Sequence, residues 1–262
     1  MTKKIAIIGG GNLGTAIAEG LLSGNFCAAN DLIITKRKPE TLESFSRRCL
    51  EVTADNVYAT HKADVVIIAV KPFQIKDVLE SLKPALTPKK VLVSVVTGIS
   101  LEEIRSVAGS DISIIRAMPN TAIAIRQSIT CISHHNTKQE DLAYVEKMFE
   151  QLGKIVVIDE ALMNAATVLG ACGTAYAMRY IRANIQGGIE IGFDAKTASL
   201  IAAQTVKGAA ELLLTTHTHP EQEIDKVTTP KGCTIAGLNE MEHQGFSSSL
   251  IKGIAASYKK IG

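Results

Sequence analysis

The sequence predicts an α/β domain built on a parallel sheet, followed by an all-helical domain. Three observations carry this. The apolar run Lys4–Ile8 passes directly into Gly9-Gly10-Gly11-Asn12-Leu13-Gly14 and then into a helix-like segment, Thr15–Leu22. Strand-like and helix-like runs alternate from there to about residue 158. After Asp159 no strand-like run follows, and long segments rich in Ala, Leu and Ile take over. Strands alternating with helices mean a parallel sheet with right-handed crossovers. Residues 1–158 are therefore read as a Rossmann-type dinucleotide-binding domain and 159–262 as a helical dimerisation and substrate domain.

The glycine motif has the strand before it and the helix after it that a GxGxxG fingerprint requires. Gly9 makes the tight turn, Gly11 lets backbone approach a pyrophosphate, and Gly14 lets the helix pack close to the strand. The helix N-terminus offers unpaired N–H groups to the phosphates. Ile8, Gly9, Gly10, Gly11, Asn12, Leu13 and Gly14 are thus candidate cofactor contacts.

Asp31–Thr35 reads as the second strand and Pro39–Arg48 as a helix with Pro in its first turn. Val52 marks a short third strand. Ala63–Val70 and Lys90–Val96 are continuous apolar runs, the pattern of strands buried on both faces. Lys71-Pro72 ends the first of these, and a helix follows to Leu82. Ser100 and Glu103 have capping-box spacing at the start of another helix. Two more strands, Ile112–Met118 and Ser128–Ser133, precede a helix over 139–152 and a last strand over 154–158. Beyond them, segments of about 160–192 and 194–216 are apolar on more than one face, so each needs a core or a partner chain to cover it. Asp194 is a plausible N-cap between them. Pairing with a second subunit is the reading adopted, with a self-contained helical bundle as the alternative.

The composition narrows the function classes. A net charge of +2 carries no field that argues for nucleic acid or a membrane surface. No apolar run is expected to reach the roughly 18 residues of a membrane span, and the N-terminus goes directly into a strand, so no signal or transit peptide is expected. Five scattered cysteines without a CxxC pair fit reduced thiols, hence a cytoplasmic protein. The histidines form no constellation, so no metal site is expected.

In NAD-binding folds an acid at the end of the second strand bonds the ribose 2′-OH. Here that place holds Thr35-Lys36-Arg37-Lys38. Lys36 and Arg37 suit a 2′-phosphate, so NADPH is the expected donor, with NADH the alternative.

Three further stretches point one way. They are Ala69-Val70-Lys71-Pro72, Met118-Pro119-Asn120-Thr121, and Thr228-Thr229-Pro230-Lys231-Gly232-Cys233-Thr234-Ile235-Ala236-Gly237-Leu238. In this order and spacing, over essentially the whole chain, they resemble pyrroline-5-carboxylate reductases, which make proline. The resemblance implies hydride transfer from NAD(P)H to C5 of the cyclic imine 1-pyrroline-5-carboxylate. It implies a helical domain interleaved with its partner in a homodimer, and some family members assemble dimers into larger rings. It places Asn56 near the adenosine ribose, Ala69, Val70, Lys71 and Pro72 along the nicotinamide ribose, and Thr234 as donor to the ring nitrogen. Thr229, Gly232, Cys233 and Thr234 become candidate substrate contacts, with Asn120 on a loop facing the reacting centre. Thr229 is as readily an N-cap, and Asn120 as readily a turn former. The chain departs from the family in having Lys231 where a Gly, and Cys233 where a Thr, is usual. Two other readings compete: a reductase of another cyclic imine, and a non-catalytic NADP-sensing protein. β-Hydroxyacid dehydrogenases place a catalytic Lys in the first long helix after the boundary, and Ala161–Tyr180 contains none.

Overall fold

In the computed structural model, residues 3–135 and 137–261 are described, and they form two compact units, one through Cys172 and one from Gly173 to Lys260. The first holds an eight-stranded sheet in the order β3-β2-β1-β4-β5-β6-β7-β8. The strands are β1 Ile5–Ile8, β2 Leu32–Thr35, β3 Glu51–Thr53, β4 Val65–Ile68, β5 Val91–Ser94, β6 Ser113–Met118, β7 Ser128–His135 and β8 Gly153–Val157.

Alternation along the strands builds two cores. Ile5, Ile7, Val65, Ile67, Val91 and Val93 face one side of the sheet, where α1 (Asn12–Ser23), α2 (Glu43–Ser46) and α6 (Gln139–Glu150) supply Ile17, Leu21, Phe45, Val145 and Phe149. Ala6, Ile8, Val66, Ile68 and Leu92 face the other, under α3 (Asn56–Lys62), α4 (Ile75–Leu82) and α5 (Leu101–Ala108). Each buried Ile, Val or Leu side chain contributes about 1.5–3 kcal/mol, which is why these strands tolerate apolar residues on both faces. The registers pair Ile8 with Thr35 and with Ile68, and Thr35 with Thr53. The loops after β1, β2, β3 and β4 therefore emerge together at one edge of the sheet. The strand order reverses between β1 and β4, the point where open α/β sheets bind ligands.

The sheet is not wholly parallel, as the alternation had suggested. β7 runs antiparallel to β6, and β8 runs parallel to β7. Only residues 119–127, with a 3-10 turn at Thr121–Ile125, join β6 to β7. A parallel crossover needs a dozen or more residues, so this connection can only turn the chain back. The helix expected over 39–48 is a 3-10 turn, Pro39–Leu42, followed by the single turn of α2. The capping box is present: Ser100 Oγ accepts from Glu103 N, and the Glu103 carboxylate accepts from Ser100 N at 2.9 Å. These hydrogen bonds hold the Glu103 carboxyl below its ordinary range.

The helical lead-in to the second unit packs on the sheet. It comprises a 3-10 turn at Glu160–Leu162, α7 (Met163–Ala166) and a π-helical turn at Thr167–Cys172. Met163, Thr167 and Val168 are buried. The compact division thus falls after Cys172, beyond the change of pattern at Asp159.

The second unit consists of α8 (Gly173–Glu190), α9 (Ala195–Thr216), α10 (Pro220–Lys226), α11 (Cys233–His243) and α12 (Phe246–Ile261). Asp194 caps α9 by accepting from Lys196 N and Thr197 N. Tyr176 donates to Ser257 Oγ at 2.6 Å, and Tyr180 stacks edge-on against Phe246, joining α8 to α12. Within these helices, only Ala198 and Ala202 of the apolar residues are buried. Ile191, Leu200, Leu214 and Ile251 are more than 60% exposed. A helical unit that leaves this much apolar surface open has no complete core of its own. Contrary to the expectation that no apolar run reaches the length of a membrane span, the helical run Glu160–Glu190 has that length and an apolar composition, because its few charges are spread thinly among apolar residues.

Candidate active site

The glycine loop leaves β1 at Ile8, whose carbonyl accepts from Ala69 N at 2.8 Å. Gly9 turns the chain with φ +113°, and a Cβ there would lie 2.6 Å from the Ala69 carbonyl oxygen. Its N–H donates to Thr35 Oγ1 at 3.1 Å, and Gly10 N donates to the Thr35 carbonyl at 2.6 Å. Gly14 is buried, and a Cβ on it would collide with the Gly9 carbonyl oxygen. Gly11 differs from the other two: a Cβ would meet nothing within 4 Å. The chain therefore gives no intramolecular reason for glycine at position 11, whereas open space at a helix start is what a bound pyrophosphate needs. Gly11 is also the N-cap of α1, no side chain caps that end, and the first turn contains no acid. The backbone N–H groups of Asn12, Leu13 and Gly14 are left facing the same opening.

At the ends of the neighbouring strands stand the other candidate residues. Lys36 is half-buried and Arg37 exposed, and among the described residues neither side chain has a hydrogen-bond or ion-pair partner. Two unpaired cations in place of the usual acid fit a 2′-phosphate. Asn56 opens α3, where Asp55 takes the capping role by accepting from Tyr58 N at 2.9 Å. The Asn56 side chain is half-buried and free of that duty. After β4, Ala69 and Val70 are half-buried, and Lys71 and Pro72 are exposed. The Lys71-Pro72 turn is held by Lys71 N donating to Gln74 Oε1 at 3.2 Å.

Asn120 follows β6 and is fully occupied as a connector. Its Oδ1 accepts from Ala122 N at 3.0 Å, capping the 3-10 turn, and its Nδ2 donates to the Gly170 carbonyl at 3.2 Å. Its own N–H donates to Ser128 Oγ at 3.1 Å.

In the second unit, Thr229-Pro230-Lys231-Gly232 forms a tight turn closed by Gly232 N donating to the Thr229 carbonyl at 2.9 Å. Pro at the second position with positive φ at the third is the pattern of a type II turn. Lys231 occupies that third position at φ +61°. A Cβ on Gly232 would lie 2.6 Å from Thr229 Oγ1, so this glycine is required by packing. Gly232 is the N-cap of α11, and no side chain caps it. Cys233 is exposed and Thr234 half-buried in the first turn of α11. The turn delivers Thr229, Cys233 and Thr234 to one uncapped helix start.

Sequence reasoning overlooked two supporting groups. Thr35 holds the glycine loop through both its hydroxyl and its carbonyl. Arg116, 5% exposed in the middle of β6, pairs with Glu160 at 2.9 Å. Its signal was an arginine inside the apolar run Ile114-Ile115-Arg116-Ala117. Among the described residues no three His, Cys, Asp or Glu side chains gather as a metal site. His219 serves as the N-cap of α10. Burial pushes the Cys27 thiol up to about 11, with a smaller contribution from Asp31.

Comparison with known proteins agrees with this geometry. The family model for pyrroline-5-carboxylate reductase dimerisation matches residues 160–262, and that for NADP oxidoreductase, coenzyme F420-dependent, matches residues 4–98. Pyrroline-5-carboxylate reductase 2 of Dictyostelium discoideum is 44% identical, over 98% of this chain and 92% of its own length. Pyrroline-5-carboxylate reductase 1 of the same organism is 47% identical over 98% of this chain, which spans about half (49%) of that longer relative. The crystal structure of the Plasmodium falciparum pyrroline carboxylate reductase with NADP bound superposes with a TM-score of 0.91 at 26% identity, over 99% of this chain and 97% of that one. Matched along its whole length by relatives of this kind, the chain belongs to the pyrroline-5-carboxylate reductase family.

Proposed function

We propose that this protein reduces 1-pyrroline-5-carboxylate to L-proline with NADPH as donor. The observation that carries the reading is the open glycine loop beside the unpaired Lys36 and Arg37, in a chain related over its full length to these reductases. When bound, NADPH supplies a hydride. The residues Ile8–Gly14, Lys36, Arg37, Asn56 and Ala69–Pro72 hold it, the glycine loop at the pyrophosphate and the two cations at the 2′-phosphate.

The substrate carries a carboxylate and a C=N bond. Its carboxylate binds the uncapped start of α11, where the first-turn backbone N–H groups have no side-chain cap, beside Thr229 and Cys233. The hydride adds to C5, the C=N π bond becomes the nitrogen lone pair, and the nitrogen takes up one proton. Thr234 donates a hydrogen bond to that nitrogen and fixes the face of the ring that is presented. A hydroxyl is a weak acid, so its part is orientation and polarisation, and the proton is replaced from solvent. Loss of such a donor costs about 1–3 kcal/mol, or roughly five- to 150-fold in rate. Most of the acceleration comes from holding C5 against the donor.

The second functional domain is reckoned from residue 159 and acts as a homodimer. Its exposed apolar helix faces are covered by a second copy. Lipid is the poorer cover for Glu160–Glu190, because Arg179 and Arg182 would each cost about 2.5–3.5 kcal/mol near a bilayer centre. Five free cysteines suit the cytoplasm.

The test is NADPH oxidation with racemic pyrroline-5-carboxylate, beside NADH and beside the Thr234→Ala protein. Rapid turnover, faster with NADPH and roughly five- to 150-fold slower in the variant, is the expected result. A folded protein that binds NADPH yet leaves this imine untouched would refute the reading. Lys231 and Cys233, the departures from the family turn, would then favour a different cyclic imine.

A further inference from the structure

Three alternate positions, Arg116 and Met118 on β6 and Asn120 just after it, reach the helical lead-in at three levels. Arg116 Nη1 pairs with Glu160 Oε1 at 2.9 Å, and the same oxygen accepts from Leu101 N. Two residues on, Met118 shares a buried cluster with Met163. Two residues further, Asn120 Nδ2 donates to the Gly170 carbonyl at 3.2 Å. The series climbs toward the edge of the sheet that carries the glycine loop and the Lys71-Pro72 turn. Its last contact falls on the π-helical turn Thr167–Cys172.

A π turn widens a helix at a conformational cost and occurs preferentially at functional sites. Here the lower part of the lead-in is secured without Asn120. Arg116 of the ion pair is buried and Glu160 half-buried, Met163 is fully buried, and Thr167 Oγ1 donates to the Met163 carbonyl at 2.9 Å. The Asn120 amide therefore adds nothing the fold requires at Glu160 or Met163. What it adds is a fixed position for the Gly170 carbonyl at the ligand-binding edge.

We propose that Asn120 is a positioning residue for imine reduction: it ties the π turn to the loop after β6, at the edge of the sheet that carries the cofactor loops. This rests on the reductase reading above. In this role Asn120 acts through Gly170, to which its Nδ2 donates while its Oδ1 caps the 3-10 turn.

Asn120→Asp keeps the oxygen that accepts from Ala122 N and replaces the donor to Gly170 with an acceptor. Asn120→Ser keeps a good N-cap and is too short to reach Gly170. In both, kcat/KM for the imine should fall about tenfold or more, near the worth of one hydrogen bond. The NADPH dissociation constant, from fluorescence titration, should stay within about twofold of the parent value, on the same hydrogen-bond reasoning. Amide hydrogen exchange over 167–172 in the ligand-free protein should quicken, which loss of a direct substrate contact would not cause. Unchanged exchange, unchanged imine kinetics, NADPH affinity falling in step with kcat/KM, or failure of both variants to fold would each overturn the proposal. A parent protein inert toward the imine would overturn the reductase reading and this inference with it, and the exchange experiment would still report whether Asn120 holds the turn.

Discussion

Replacing Gly11 and Gly14 in turn by alanine adds the same methyl group to two different physical problems. At Gly11 the new Cβ meets nothing within 4 Å, and the backbone is ordinary extended N-cap geometry at φ −84°. Alanine is a poorer N-cap than glycine, at a cost of about 0.5–1 kcal/mol, while the stiffer unfolded chain returns about 0.4–1 kcal/mol. The melting temperature should therefore move by less than about 4 °C. The methyl instead occupies the space where a pyrophosphate would approach the N–H groups of Asn12–Gly14. Hydrogen bonds to a charged group are worth about 1.5–3 kcal/mol each, so loss of one weakens NADPH binding by roughly ten- to 150-fold. At Gly14 the Cβ collides with the Gly9 carbonyl, and the buried helix must shift off β1. Overpacking of that kind costs about 1–3 kcal/mol and should lower the melting temperature by about 3–10 °C. Thermal unfolding without nucleotide, followed by fluorescence titration with NADPH, separates the two effects. A Gly11→Ala protein that is fully folded and binds NADPH as tightly as the parent would refute the assignment of that opening.

The proposed cofactor preference rests on two unpaired, solvent-accessible cations, so Lys36→Ala combined with Arg37→Ala should raise the NADPH KM about tenfold and leave the NADH KM nearly unchanged, since each screened contact contributes under about 1 kcal/mol. An equal rise for NADH would sink the 2′-phosphate assignment. Lys231 holds a left-handed conformation that costs a non-glycine residue about 1–2 kcal/mol, partly offset by the unfolded-state entropy of glycine. Lys231→Gly should accordingly raise stability by about 0.5–1 kcal/mol, seen as a melting temperature higher by roughly 2 °C, and a lower value would show that the lysine side chain is held by contacts of its own.

Much of the first unit was written in local pattern. The glycine spacing, the apolar runs at Val65–Ile68 and Val91–Ser94, the Ser100–Glu103 box and the Asp194 cap all depend on residues near one another in the chain. Period-two burial and cap chemistry are short-range, so they can be read without coordinates. The candidate cofactor residues could be proposed for the same reason: each lies at or shortly after the C-terminal end of a strand, and parallel strands deliver these ends to one edge.

What the sequence by itself determined is therefore the class of each unit, the cofactor motif and the family turn Thr229–Thr234. What only the tertiary structure decided is how distant groups share a task. The reversal of β7 depends on the nine residues 119–127 being too few for a crossover, which matters only once both strands join one sheet. The difference between Gly11, open to a ligand, and Gly14, pressed on a carbonyl, comes from atoms brought in by folding. Thr35 beneath the glycine loop, Glu160 on Arg116 and Asn120 on Gly170 join residues 26, 44 and 50 positions apart. No local pattern encodes such pairs, because a hydrogen bond depends on distance in space, and chain separation does not specify that distance until the sheet has set it.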